Sequence, residues 1–196
     1  MSVTDVMNTI ERDRTFYEES GGGVTFSGGE PLAQPAFLGD LLSACKKMDI
    51  HTAVDTSGYA AWHILEKIRS QVDLFLYDLK LMDDNRHRQY TGVSNQRILE
   101  NLRELAECGQ AIVIRFPLIP GINDDMENLC QLGEFLSALP GLDRLDVLPY
   151  HPSALGKYER LALSYSLPNT LSPSDERVRE TVHILERYRL NVKIGG

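Results

Sequence analysis

Apolar residues recur along this chain with two different periods. Short runs rich in Val, Ile, Leu, Phe and Tyr stand at residues 23–26, 52–55, 74–77, 112–115, 144–148 and 191–194, and they read as strands. Between them lie longer stretches with apolar positions three and four apart, at 35–48, 62–70, 95–107, 125–138 and 174–188, which read as helices. Residues 4–19 form one more amphipathic pattern, with Val6, Met7, Ile10 and Phe16 near one face and Thr4 the simpler N-cap than Ser2. Residues 116–120 read as an ordered loop. After His151 the periodicity fades, and Leu155-Gly-Lys-Tyr158 reads as a loop over the face where the strands end.

Strands alternating with helices imply βα units and a parallel sheet. An eight-stranded closed barrel needs about 250 residues, so the expectation is an α/β fold of partial-barrel or open-sheet type. Its first strand would lie at an edge. No internal repeat or long linker divides the chain, and residues 1–196 read as a single domain.

Composition narrows the function classes. A hydrophobic share of 42% and a charged share of 24% are ordinary for a globular chain. No stretch approaches the roughly 20 apolar residues of a membrane span. The start, Met1-Ser-Val-Thr-Asp-Val-Met7, lacks the basic and apolar sections of a secretory signal, so a cytoplasmic protein is expected. A net charge of −8 argues against nucleic-acid binding by bulk electrostatics. Arg86-His-Arg88 reads as a solvated helix face. Cys45, Cys108 and Cys130 are far apart and lack the close spacing of zinc or iron–sulfur ligands.

The candidate chemistry lies where strands end. Gly21-Gly-Gly-Val-Thr-Phe-Ser-Gly-Gly-Glu30 places glycines at both ends of a strand and a carboxylate directly after. Glycines let backbone approach a ligand closely, and a carboxylate beside bare backbone can grip a small zwitterion by its ammonium. The simpler alternative is a tight turn with Glu30 solvated. Later strands end in Asp55 and Thr56, in Asp78 and Lys80, in Arg115, and in His151. In βα barrels such ends converge on one face. Asp55 and Asp78 could instead cap helices, Lys80 could be a surface lysine, and His151 a buried structural histidine. Arg115, in an otherwise apolar strand, needs a partner or a ligand. His51, His63, His87 and His183 read as structural or exposed, Tyr150 and Tyr158 as possible site walls, and Trp62 as core.

Taken together, Gly21–Glu30, Val54–Gly58, Tyr77–Lys80, Thr91-Gly-Val-Ser-Asn95, Ile114–Arg115 with Pro120-Gly121, and Leu148–His151 with Leu155–Tyr158 resemble the activating enzymes of glycyl radical enzymes. These form the group around pyruvate formate-lyase activating enzyme in the radical S-adenosylmethionine (SAM) superfamily. The resemblance implies a partial (β/α)6 barrel of TIM type with SAM across its open face. It implies that Ser27, Gly28, Gly29 and Glu30 hold the methionine amino group, that Lys80 and Arg115 lie by its carboxylate, and that His151 lies at the adenosine. Asp55, Thr56 and Asp78 match positions that in some relatives bind a monovalent cation. It also implies a glycyl radical enzyme as partner and a flavodoxin or ferredoxin as electron donor.

One departure is large. The family holds a [4Fe-4S] cluster on a Cys-x3-Cys-x2-Cys motif upstream of the Gly-Gly-Glu strand, and that motif is missing here. The expected reading is an N-terminally truncated core, inactive alone because the cofactor does the hard chemistry. Two other classes remain open on the residues themselves: a non-catalytic SAM- or partner-binding remnant, and a βα-barrel lyase or aldolase with Lys80 as Schiff-base nucleophile.

Overall fold

A computed structural model describes residues 1–151 and 170–195, so the loop expected at 155–158 lies outside the described residues. Six strands, β1 (Gly23–Phe26), β2 (His51–Thr56), β3 (Leu74–Asp78), β4 (Ile112–Leu118), β5 (Arg144–Pro149) and β6 (Asn191–Ile194), form one parallel, open sheet in that order. The described helices are α1 (Val3–Arg12), α2 (Arg14–Ser20), α3 (Pro35–Lys47), α4 (Trp62–Ile68), α5 (Asp84–Thr91), α6 (Gln96–Glu107), α7 (Met126–Ser137) and α8 (Asp175–Glu186). This sequential α/β order is the one expected of a partial (β/α)6 barrel. The residues pack as two compact units.

The first unit comprises Met1–Asp78, Ser94–Val113 and Leu139–Leu142. Its β3 alternates cleanly, and the end of β2 follows it: Val54, Phe75 and Tyr77 are fully buried, while Asp55, Leu76 and Asp78 are half-buried on the other face. Fully burying such side chains contributes about 1.5–3 kcal/mol each. Gly23 is required at the start of β1 because a Cβ there would lie 2.0 Å from the His51 carbonyl of β2.

The helix expected over residues 4–19 is broken at Asp13 into α1 and α2. Ser2, rather than Thr4, is the cap: its Oγ accepts from the Asp5 N–H at 3.2 Å while Asp5 Oδ2 accepts from the Ser2 N–H at 2.8 Å. Such a reciprocal box satisfies two otherwise orphaned donors. The break shifts the helical phase, so Phe16 turns outward and Tyr17 packs instead against Ile10, Cys45 and Ile50.

The second unit comprises Leu79–Val93, Ile114–Ala138 and Asp143–Gly196. Ile114, Phe116, Leu118, Leu145 and Val147 fill one face of its strands. Register places Arg115 opposite Asp146, and Asp146 opposite Lys193, on the other face. β4 runs on through Pro117 to Leu118, where a loop had been expected. Proline removes a ladder donor, but the Pro117 carbonyl is taken by Asn123 Nδ2 at 2.6 Å, which holds the segment extended. The cluster expected to be a solvated face is only partly so. Arg88 pairs outward with Asp84, whereas His87 is buried and Arg86 reaches the Ile122 carbonyl.

α7 packs against α8, and at Gly133 the turn after α8 comes so close that a Cβ would lie 2.2 Å from the ring of Tyr188. Gly133→Ala is therefore expected to cost about 1–3 kcal/mol by overpacking, read as a lower guanidinium midpoint. An unchanged midpoint would show that the Tyr188 ring simply moves aside.

Candidate functional site

In the first unit, β1 ends at Phe26 and the chain turns through Ser27, Gly28 and Gly29. The two glycines have φ of +87° and +58°. Only glycine adopts these left-handed angles at no cost, and a side chain there would be strained by roughly 1–2 kcal/mol. Ser27, Gly28 and Glu30 line one end of a cleft of about 330 Å³ whose other walls include Val6, Ile10 and Phe37.

Glu30 caps the short 3-10 helix Pro31–Ala33, its Oε1 accepting from the Leu32 N–H at 3.1 Å. The same oxygen accepts from Thr56 Oγ1 at 2.5 Å. Oε2 accepts from the Ser57 N–H at 2.9 Å and from Ser57 Oγ at 2.5 Å. A carboxylate offers about four acceptor sites, so Glu30 is filled by its own chain rather than solvated.

The loop that Glu30 grips is also held from beneath. Asn101 Nδ2 of α6 donates to the carbonyls of Gly58 at 2.7 Å and Ala60 at 2.9 Å. The Tyr77 hydroxyl donates to the Ile98 carbonyl at 2.7 Å, and its ring lies so close beneath Gly58 that a Cβ there would be 1.7 Å from the phenolic oxygen. Burial pushes the Tyr77 hydroxyl well above its ordinary pKa, and the nearby charge of Glu30 adds to the shift.

Asp55 and Asp78 lie on one face of adjacent strands, Asp55 opposite Leu76 and Asp78 two residues further on. Both are half-buried and both have partners within the chain. Neither caps a helix, since the caps of α4 and α5 are Ala61 and Asp83. Thr56, one residue along from Asp55, points to the opposite face. Its hydroxyl is shared between Glu30 and the Gly58 N–H at 2.9 Å.

In the second unit, buried asparagines do the equivalent work. Asn123 Nδ2 donates to the Lys80 carbonyl at 2.9 Å as well as to Pro117, and its Oδ1 accepts from the Ile119 N–H at 2.8 Å. Asn128 Nδ2 donates to the Asn123 carbonyl at 2.9 Å, and its Oδ1 accepts from the Met82 N–H at 2.8 Å. Lys80 is half-buried with its backbone fixed in this way, and the Leu79 N–H bonds the Arg115 carbonyl at 3.0 Å. Arg115 is half-buried on β4, and His151 is exposed after β5. Arg86 Nη2 donates to Asp125 Oδ2 at 2.7 Å beside this loop.

Asn101, Asn123 and Asn128 were missed from sequence. Their signal was present: Asn101 and Asn128 occupy positions in helical phase with buried Ile98, Leu105 and Leu132, where a polar residue has to find partners.

The thiols do not make a cluster site. Cys45 is buried with its Sγ 3.9 Å from Met7 Sδ, its thiol pushed up by burial; Cys108 is exposed after α6, and Cys130 lies on α7. Among the described residues, no group of three or more His, Cys, Asp and Glu could hold a metal ion. In the first unit the exposed Gly28–Gly29 turn and the half-buried carboxylates of Asp55 and Asp78 suit a cationic group, and in the second the half-buried Lys80 and Arg115 suit an anionic one.

The Radical SAM superfamily matches residues 1–133. The trans-4-hydroxy-L-proline dehydratase activating enzyme of Clostridioides difficile is 44% identical over 100% of this chain and 65% of its own length. The choline trimethylamine-lyase activating enzyme of Oleidesulfovibrio alaskensis is 40% identical over 98% of this chain and 63% of its own. This chain thus spans less than two thirds of these two relatives. The pyruvate formate-lyase-activating enzyme of Staphylococcus epidermidis is 38% identical over 92% of this chain and 74% of its own. Among solved structures, a domain of pyruvate-formate lyase-activating enzyme from Bacteroides vulgatus superposes with a TM-score of 0.75 at 38% identity, covering 89% of this chain and 99% of that one.

Two outcomes test the loop architecture. Asn123→Ala strips the Lys80 and Pro117 carbonyls and the Ile119 amide of their partner at a site 1% exposed. It is expected to cost about 3 kcal/mol or more in equilibrium unfolding. The hydrogen bond from Arg86 holds the Asp125 carboxyl below its ordinary value of 3.8. A depressed folded pKa stabilises the protein above the ordinary value, and that contribution is lost as pH falls through the folded value. Arg86→Met should therefore flatten the acid limb of melting temperature against pH.

Proposed function

The chain belongs to the radical SAM superfamily, in the group similar to pyruvate formate-lyase activating enzyme, and we propose that residues 1–196 form the SAM-binding core of an activating enzyme that places a glycyl radical on a partner enzyme. The carrying observation is the turn Ser27–Glu30, two left-handed glycines with exposed backbone held in place by a saturated carboxylate. A backbone carbonyl is a good acceptor for an ammonium, and the methionine end of SAM presents one.

By their match to the family's motifs, Lys80 and Arg115 take the SAM carboxylate and His151 the adenosine end. Asp55 and Asp78 offer the hard oxygens that suit a monovalent cation. When reduced, SAM supplies the radical chemistry that takes hydrogen from a glycine of the partner. What this chain's residues do is bind and orient: in the first unit the glycine turn would hold an ammonium, and in the second Lys80 and Arg115 would hold a carboxylate. The partner is a glycyl radical enzyme, the electron donor a flavodoxin or ferredoxin, and the compartment the cytoplasm. No described helix is long and apolar enough to cross a membrane.

The three cysteines do not fit a [4Fe-4S] cluster, so no step is assigned to them. This chain alone is expected to bind SAM without cleaving it. Calorimetric titration with SAM should give a saturable isotherm, weakened about tenfold or more by Lys80→Ala, a loss of about 1.4 kcal/mol. Chromatography of the mixture should recover SAM intact under reducing conditions. A folded sample that shows no saturable binding would sink the reading.

A further inference from the structure

The arrangement around Glu30 assigns it a different task from gripping a ligand. Its four acceptor sites are taken by the Leu32 and Ser57 amides and by the hydroxyls of Thr56 and Ser57. An incoming ammonium would have to displace one of these donors. The preceding residues are in the opposite condition. Gly28 and Gly29 are exposed, a Cβ at either would meet nothing within 4 Å, and among the described residues no hydrogen bond engages their carbonyls.

We infer that the Glu30 carboxylate is a latch between the loops after β1 and β2, that it sets the Gly28–Gly29 turn whose carbonyls receive the ligand, and that Thr56 is a positioning residue acting through it. This inference rests on SAM, or another ammonium-bearing ligand, being what the turn binds.

Thr56 is the residue that isolates the effect. It is 3% exposed, its side chain points to the face opposite Asp55, and its hydroxyl is spent on Glu30 and Gly58. Its single hydroxyl proton goes to Glu30 Oε1, because a carboxylate can only accept, and its lone pair takes the Gly58 N–H. The latch is thereby tied to Gly58. That residue is held in a left-handed conformation (φ +70°) over the Tyr77 ring, with its carbonyl taken by Asn101. Strand β2, helix α6 and the glycine turn are joined through one carboxylate. Hydrogen bonds to a charged group are the strong ones, so removing one donor should loosen the turn without unfolding the unit.

The test uses the ligand-free chain and SAM itself, with Thr56→Val, Thr56→Ser and Ser57→Ala beside the parent. Amide hydrogen exchange is followed at Leu32 and Ser57, and SAM affinity by calorimetry. Thr56→Val should keep its circular dichroism and cooperative unfolding, exchange at both amides about tenfold faster, and bind SAM about tenfold to a hundredfold more weakly. Thr56→Ser should restore both. If Thr56→Val does not fold, Ser57→Ala, which removes only a half-buried hydroxyl, is expected to show the same paired loss.

Unchanged exchange overturns the inference, and so does faster exchange with unchanged SAM affinity. A parent chain that does not bind SAM, yet exchanges faster at Leu32 and Ser57 in Thr56→Val, upholds the latch and sinks the SAM reading instead.

Discussion

A carboxylate half-buried between two loops has to be saturated with donors, and the donors of Glu30 come from two different stretches of chain. The Leu32 amide belongs to the 3-10 turn that follows it, Thr56 ends β2 and Ser57 follows that strand. An unsatisfied buried charge would cost several kcal/mol, so the loops after β1 and β2 cannot move independently. The left-handed glycines before Glu30 and Gly58 after it take their conformations from that constraint. Tyr77 of β3 packs against Gly58 of the same loop, and Asn101 of α6 hydrogen-bonds the loop's carbonyls.

The second unit solves the same problem without a charge. Loops that leave parallel strands expose carbonyl and amide groups that the ladder no longer pairs, and when they are packed over, those groups need partners. Asn123 and Asn128 supply them, each using donor and acceptor ends of one amide at once. An amide side chain suits this role better than a carboxylate because it can satisfy a carbonyl and an N–H together. The backbone at Lys80 is positioned by this network through its carbonyl.

In the first unit the two faces of a strand end carry different polar groups. Asp55 and Asp78 share one face while Thr56 turns to the opposite one, a consequence of the two-residue period of a strand. Neighbouring residues in a motif can thus have different tasks. The run Val54-Asp-Thr-Ser-Gly58 contains a buried core residue, a half-buried carboxylate, a latch donor and a glycine forced by a tyrosine beneath it.

The sequence by itself determined the sheet class, the six strands and the order of the motifs, because hydrophobic period and glycine placement are local signals. It also marked Glu30, Asp55, Asp78, Lys80, Arg115 and His151 as candidates by their position at strand ends. It did not determine the break at Asp13, which depends on Tyr17 finding the Ile10–Cys45–Ile50 core, nor the extension of β4 through Pro117, which depends on an asparagine six residues on. The task of Glu30 was the least legible. Whether a carboxylate grips a ligand or holds a loop turns on how many donors surround it, and those donors lie up to 27 residues away. Only tertiary structure brings them within hydrogen-bond distance.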